Sequence, residues 1–285
     1  MRKLTILLIF IFTTSLVFAQ NQRFTYEYSF KMDSLNKENV EKEIMNLDIT
    51  KEGSNFYSAL LISRDSILKA QYERGKASQS FVFSMKNVKQ SKVNFRISKD
   101  YPNLETVYHT SISANNIALK EQNKINWTIS PETKTIEGFK VQKATTIFGG
   151  RNWMAWFTND IQIQDGPYKF CGLPGLILSV GDDKGDHVFN LVGSKKLNYE
   201  PLMISSSMKE IFVTNEKFNQ LWNEYKKDPA KNIKIMHNSS EMSDTLFSGP
   251  NGNPLTKQDL IKGKEQRAQE SFKKNNNFIE RELYK

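Results

Sequence analysis

Residues 125–158 read INWTISPETKTIEGFKVQKATTIFGGRNWMAWFT, and the way this stretch folds back on itself decides the architecture. Threonine, isoleucine, valine and aromatic residues recur at alternate positions, the period of a pleated strand. Turn residues break the run three times. Pro131 to Lys134 is expected as one turn and Glu137-Gly138 as a second. Gly149-Gly150 is a two-residue link of the kind that favours a primed hairpin turn. Beyond it, Trp153, Ala155 and Phe157 fall on one face and Asn152, Met154 and Trp156 on the other. With aromatics on both faces, this strand is either covered on both sides or lines a cavity.

The same alternation extends upstream. In RFTYEYSFKM, Phe24, Tyr26, Tyr28 and Phe30 lie two apart and share a face. SNFYSALLIS, QSFVFSMK and KVNFRISKD carry related patterns and read as further strands. The chain has 19 Phe, 10 Tyr and 4 Trp, a content that favours sheet. After residue 200 the period changes. Phe218, Leu221, Trp222 and Tyr225 are spaced as on a helix face, Thr214 caps the start and Pro229 marks the end. Thr256 and Asp259 make a capping box before a second helical run whose apolar face is thin: Leu260, Ile261, Ala268 and Phe272. The expected fold is mainly β: a curved antiparallel sheet or half-barrel with C-terminal helices. Its helical region is expected over about 207–285, within a single unit spanning 20–285.

Residues 1–19 read as a secretory signal peptide. Arg2 and Lys3 precede an apolar run, and Val17 and Ala19 are the small residues before the cut at Gln20. The apolar run is shorter than the about 20 residues a spanning helix needs. The protein is therefore expected to be exported, periplasmic or secreted, with no transmembrane segment in the mature chain. Without the leader, 38 basic and 31 acidic side chains leave a formal charge near +7. The basic excess is dispersed, which fits a solvated surface, with attraction to anionic lipid or polysaccharide as the sharper reading. Nucleic acid is not expected, because no binding motif accompanies the charge. Cys171 is the single cysteine, so no internal disulfide forms.

The stretch GPYKFCGLPGLILSV, residues 166–180, admits three readings. A phosphate cradle requires glycines that open a helix, and here they precede a strand-like run. A thiol nucleophile at Cys171 requires a histidine, for which His109, His187 and His237 are available. A structural corner accounts for more residues: Leu173-Pro174-Gly175-Leu176 suits a type II turn, and Gly172 suits close backbone approach. Gly166-Pro167 adds a bend that brings in Tyr168 and Phe170. The turn then launches Leu176, Ile177 and Leu178 into a hairpin whose return strand carries His187, Phe189 and Leu191 on one face.

These residues also carry a resemblance. GRNWMAWFTNDIQIQDGPYKFCGLPGLILSV, residues 150–180, resembles the hallmark segment of the exported GLPGLI family of Bacteroidota, with the name-giving string at Gly172, Leu173, Pro174, Gly175, Leu176 and Ile177. The resemblance implies an envelope protein associated with outer-membrane TonB-dependent transporters. Members of that family often carry a cysteine where this chain has Val141, so the resemblance implies no disulfide between that position and the motif region here.

Other candidate sites are sparse. Asp182, Asp183 and Asp186 share one turn, where hairpin chemistry competes with a calcium site. Arg151 has two candidate partners, an aromatic ring or Asp165. Arg151, Trp153, Trp156, Tyr168 and Phe170 are the candidate ligand-binding residues, with a filled core as the competing account of the aromatics. No cofactor and no metal are expected. The functional expectation is a non-catalytic envelope protein that binds an apolar ligand or an outer-membrane receptor. The rival is a hydrolase using Cys171 or acidic residues near the motif.

Overall fold

The computed structural model describes residues 21–79, 88–121, 125–201, 209–238, 247–248 and 254–285. The expected signal peptide and most of the expected strand QSFVFSMK lie outside these residues. The strands of the main sheet are β1 (Gln22–Phe30), β2 (Glu41–Ile49), β3 (Gly53–Ser58), β4 (Arg96–Asp100), β5 (Glu105–Ile112), β6 (Asn115–Glu121), β7 (Thr128–Ile136), β8 (Phe139–Phe148), β9 (Arg151–Thr158), β10 (Leu176–Asp182), β11 (His187–Lys196) and β12 (Ile211–Val213). They form one open, curved 12-stranded sheet in the order β12-β6-β5-β4-β3-β2-β1-β11-β10-β9-β8-β7. Every pairing is antiparallel except β12 with β6, which is parallel. The fold is mainly β, as the alternation indicates.

β1 occupies the middle of the sheet, between β2 and β11. Phe24, Tyr26, Tyr28 and Phe30 are all buried, while the residues between them are half-exposed. Burying an aromatic or large aliphatic side chain is worth about 1.5–3 kcal/mol, so this single face anchors the sheet. The Tyr28 ring stacks on Phe189 of β11 at 4.2 Å and on Phe30 at 4.4 Å.

The two glycine-containing hairpin links form as expected. Ile136 pairs with Phe139 across Glu137-Gly138, and Phe148 pairs with Arg151 across Gly149-Gly150; all four link residues have positive φ. Pro131 to Lys134 does not turn. The strand continues through it as β7, with a register irregularity between Ile129 and Thr133. A proline without an N–H is tolerated there because β7 is an edge strand.

The helices are α1 (Ala59–Ser78), α2 (Asn215–Lys227), α3 (Lys231–Asn238) and α4 (Lys257–Lys274). Thr214 caps α2, and Thr256 with Asp259 closes the capping box of α4. Helix α1 corrects the strand reading of SNFYSALLIS. Strand β3 ends at Ser58, whose hydroxyl accepts from the N–H groups of Leu60 and Leu61 and starts the helix. Among its residues only Gly75 is buried.

Residues 275–285 run from α4 back across the sheet. Ile279, Glu280 and Leu283 are buried, Phe278 stacks on Tyr284 at 3.9 Å, and Tyr284 packs edge-on against Phe218 and Trp222 of α2. The C-terminal segment and α2 thus cover one face of the sheet. Among the described residues, no helix is long and apolar enough to cross a membrane.

Candidate functional site

Three buried polar networks lie about β9 and β10; the chain between these strands, residues 159–175, folds inward and contributes Asp165 to the first and Lys169 to the third. The first centres on Asp165, which is fully buried and ion-paired to the equally buried Lys99 of β4. Ser54 and Tyr101 donate hydroxyls to the same carboxylate, and Lys99 also donates to the Gly166 carbonyl at 2.8 Å. Every polar atom is provided for, so this cluster pins the loop to β3 and β4.

The corner itself differs from the expected type II turn. The Gly175 N–H donates to the Leu173 carbonyl at 2.7 Å, a three-residue turn about Pro174, and the Leu176 N–H donates instead to Ile161. Gly175 has φ +154°, and a Cβ there would meet the Thr158 carbonyl oxygen at 1.9 Å. The close approach expected at Gly172 therefore occurs at Gly175; at Gly172 the φ of +86° is the requirement, and no atom crowds it. Gly166 packs against Ile177, and Leu173, Leu176 and Ile177 are core.

The second network centres on Arg151. Its guanidinium donates to Asp182 at 2.7 Å, to Asn277 at 2.6 Å and to the carbonyls of Phe278 and Ile279. Asp182 also accepts the N–H groups of Asp186 and His187, and Asp186 faces Arg151, Lys31 and Lys37. Asp183 accepts from Asn152. The acidic turn therefore serves the sheet's own cations, and Arg151 pairs with Asp182, not with Asp165 or an aromatic face. Among the described residues, no three His, Cys, Asp or Glu side chains are grouped to hold a metal.

Cys171 is buried, and burial pushes its thiol up to about 11. Its carbonyl accepts the Trp127 indole N–H at 2.9 Å. His187 is bonded to Tyr28, and His109 to Ser98 and Glu210, so neither activates the sulfur. The side chain of His237 lies outside the described residues. A protonated, buried thiol does not suit a nucleophile.

The aromatic candidates separate. Trp153 and Phe170 touch at 4.6 Å between ring centroids, with Tyr168 6.1 Å from Phe170, and all three are buried. Trp156 lies on the opposite face of β9, where Lys134 sits 4.0 Å from its ring centre. Arg151 is enclosed in its own network. The five residues do not line one pocket.

The third network borders open space. Lys169 is buried, and its ammonium lies 2.7 Å from Glu121 and 2.5 Å from Glu280. The Tyr168 hydroxyl donates to the same Glu280 oxygen, and the ammonium faces the Tyr108 ring at 4.8 Å. Glu121 ends β6, while Glu280 comes from the C-terminal segment. Gly149 makes this docking possible: a Cβ there would meet the Glu280 backbone at 2.8 Å, and its carbonyl accepts the Arg281 N–H. Burial raises the Glu121 carboxyl above the usual range; Lys169 opposes that shift and Glu280 adds to it.

Both carboxyls face a groove of about 850 Å³ beside the β8–β9 hairpin. Trp153 and Phe148 contribute ring surface, and Asn126, Asn152, Asn215 and Asn219 contribute amides. Paired carboxyls, one with a raised pKa, amid amides and aromatic surface can move a proton to and from a polyhydroxylated substrate. Sequence reasoning did not find Glu121 and Glu280. They sit in charged stretches that read as solvated surface, and the fold alone unites them.

A family model described as "N-glycanase peptide, N-terminal domain" matches residues 74–189. The matched span contains the whole 150–180 segment, the 172–177 string included, so the GLPGLI assignment is overturned, and with it the expected non-catalytic envelope role. Two solved structures of PNGF-II, in P21 and C2 crystal forms, superpose with a TM-score of 0.49 at 17% and 16% identity. The alignments cover 71% of this chain but only 33% and 32% of those chains, so this protein spans about a third of their length. No curated protein matches in sequence.

Proposed function

We propose that the protein has a glycosidase-related function, acting on glycan linkages at the Glu121–Lys169–Glu280 groove. The observation that carries this reading is the pair of carboxyls held by one buried ammonium at the wall of a groove large enough for an oligosaccharide. The match to an N-glycanase domain supports glycans as the substrate class. In this reading Glu121, whose carboxyl burial raises above the usual range, gives its proton to the atom leaving the sugar. Glu280 takes a proton from the attacking water, whose oxygen bonds to the carbon released. Lys169 holds the two carboxyls face to face, and Tyr168 orients Glu280. We further propose that residues 1–19 direct export and that 20–285 act as one unit in the periplasm or outside the cell.

The test is release of glycan from an N-glycosylated peptide and of nitrophenol from aryl glycosides, followed by mass spectrometry and absorbance. Turnover that disappears in Glu121→Gln and Glu280→Gln, with folding intact by circular dichroism, supports the reading. No turnover of either substrate class by the intact chain, or turnover that survives both substitutions, overturns it.

A further inference from the structure

A second, separate cavity of about 360 Å³ lies between the sheet and the C-terminal covering elements, a volume within the range of small-molecule sites. Its floor is Tyr28, Phe95 and Tyr108; its roof is Trp222, Tyr225 and Phe278. Phe272 packs edge to face on Trp222 and Tyr225, at 5.6 and 5.5 Å between centroids, and all three rings are only partly buried, so the roof borders solvent.

Polar groups are interleaved with the rings. Asn94, Thr110, Ser111, Asn275, Asn277 and Glu280 all reach the wall. The charged groups on the wall are already matched: Lys92 by Glu41, and Glu280 by Lys169. His187 is also on the wall; its Nδ1 is bonded to Tyr28, and its Nε2 has no hydrogen-bond partner among the described residues. Ring faces suit the C–H faces of a sugar, amides and hydroxyls suit its hydroxyl groups, and paired charges leave nothing to attract an ion.

We propose that this cavity is a second carbohydrate site that takes one neutral sugar ring, distinct from the groove where Glu121 acts. The choice of sugar rests on the glycan-directed reading of the groove; the existence of a ligand site rests on the cavity alone. Glu280 is a wall of both, so a ring held here is adjacent to the carboxyl pair.

The experiment is ligand-observed NMR titration of the full chain with N-acetylglucosamine, glucose and, as an apolar probe, indole. Saturable sugar binding is expected, weakened at least tenfold by Ser271→Trp, which fills the mouth from an exposed position of α4. Ser111→Trp, from the opposite wall, is expected to do the same; either variant that folds suffices. Glu121→Gln should leave binding unchanged. No saturable sugar binding, binding of indole in its place, or sugar binding indifferent to the filling variants overturns the proposal. Sugar binding that responds to Ser271→Trp in a protein without turnover sustains this site and removes the hydrolytic reading of the groove. Turnover without such binding does the reverse.

Discussion

Arg151 and Asp182 meet at 2.7 Å with each side chain 1% exposed, at the point where two hairpins and the C-terminal segment converge. Arg151 opens β9, Asp182 closes β10, and the remaining guanidinium protons go to Asn277, Phe278 and Ile279. The charge is thus shared between covalently distant parts of the chain. Arg151→Met leaves Asp182 buried without its counter-ion, a loss of about 3–5 kcal/mol. Denaturant unfolding monitored by tryptophan emission measures it. The C-terminal segment should loosen first, seen as faster amide exchange at Ile279 and Arg281.

His187 gives the stability curve an acidic edge. Burial lowers its pKa from 6.5 to about 3, with the neighbouring Arg151 adding to the shift. The unfolded chain therefore binds a proton that the folded chain refuses between those two values. Stability falls as pH drops through that window, by up to about 1.4 kcal/mol per pH unit from this group. In His187→Phe this part of the slope disappears, at the cost of an unmatched Tyr28 hydroxyl. Unfolding midpoints from pH 7 to pH 4, compared between the two proteins, give the difference directly.

Gly175 tests the corner. A methyl group there meets the Thr158 carbonyl oxygen at 1.9 Å, and that oxygen belongs to backbone held in the sheet. Gly175→Ala should cost about 3 kcal/mol, combining the clash with an unfavourable φ. Gly172→Ala has only the φ penalty, because no atom lies within 4 Å, and should cost about 1 kcal/mol. Thermal unfolding of the two variants should rank them in that order; equal losses would show that conformation, not crowding, dictates both glycines.

The elements legible in sequence were those with local causes. Phe24 to Phe30 alternate, Gly149-Gly150 supplies two positive φ values, and Thr256 with Asp259 caps a helix; each signal lies within ten residues. Helix α1 was hidden because Leu60, Leu61, Ile62, Ile67 and Leu68 do not gather on one stripe, and because it follows a strand without a break. Pro131 suggested a turn, since only its place on an edge strand makes it tolerable within one. The carboxyl site was hidden for a different reason. Lys169 lies 48 residues from Glu121, and Tyr168 lies 112 from Glu280, so no spacing rule connects them. Flanking Phe278, Ile279 and Leu283 offered a faint sign that Glu280 sits on a buried segment.

Cys171 should be inert. With the thiol held near 11 and the side chain buried, thiolate is scarce at pH 8. Labelling by a disulfide reagent should proceed at least a hundredfold more slowly in the native protein than in denaturant. Cys171→Ala should leave glycan release unchanged. Rapid native labelling together with lost turnover would instead make the sulfur the reacting group.

Glu121 makes the sharpest claim on chemistry. In its proposed role as proton donor it works only while protonated, so the rate should fall as pH rises through its pKa, which burial places above the usual carboxylate range. Glu121→Gln should lower turnover by about 10²–10⁴-fold and abolish that falling limb. Lys169→Met supplies the discriminating measurement. The ammonium opposes the upward shift of Glu121, so its removal should carry the falling limb to higher pH. A purely structural Lys169 would lower activity through stability and leave the pH profile where it was. The profile of kcat/KM for Lys169→Met, recorded on protein shown to be folded, therefore separates a proton-holding site from an ionic clasp that only fastens the C-terminal segment to the sheet.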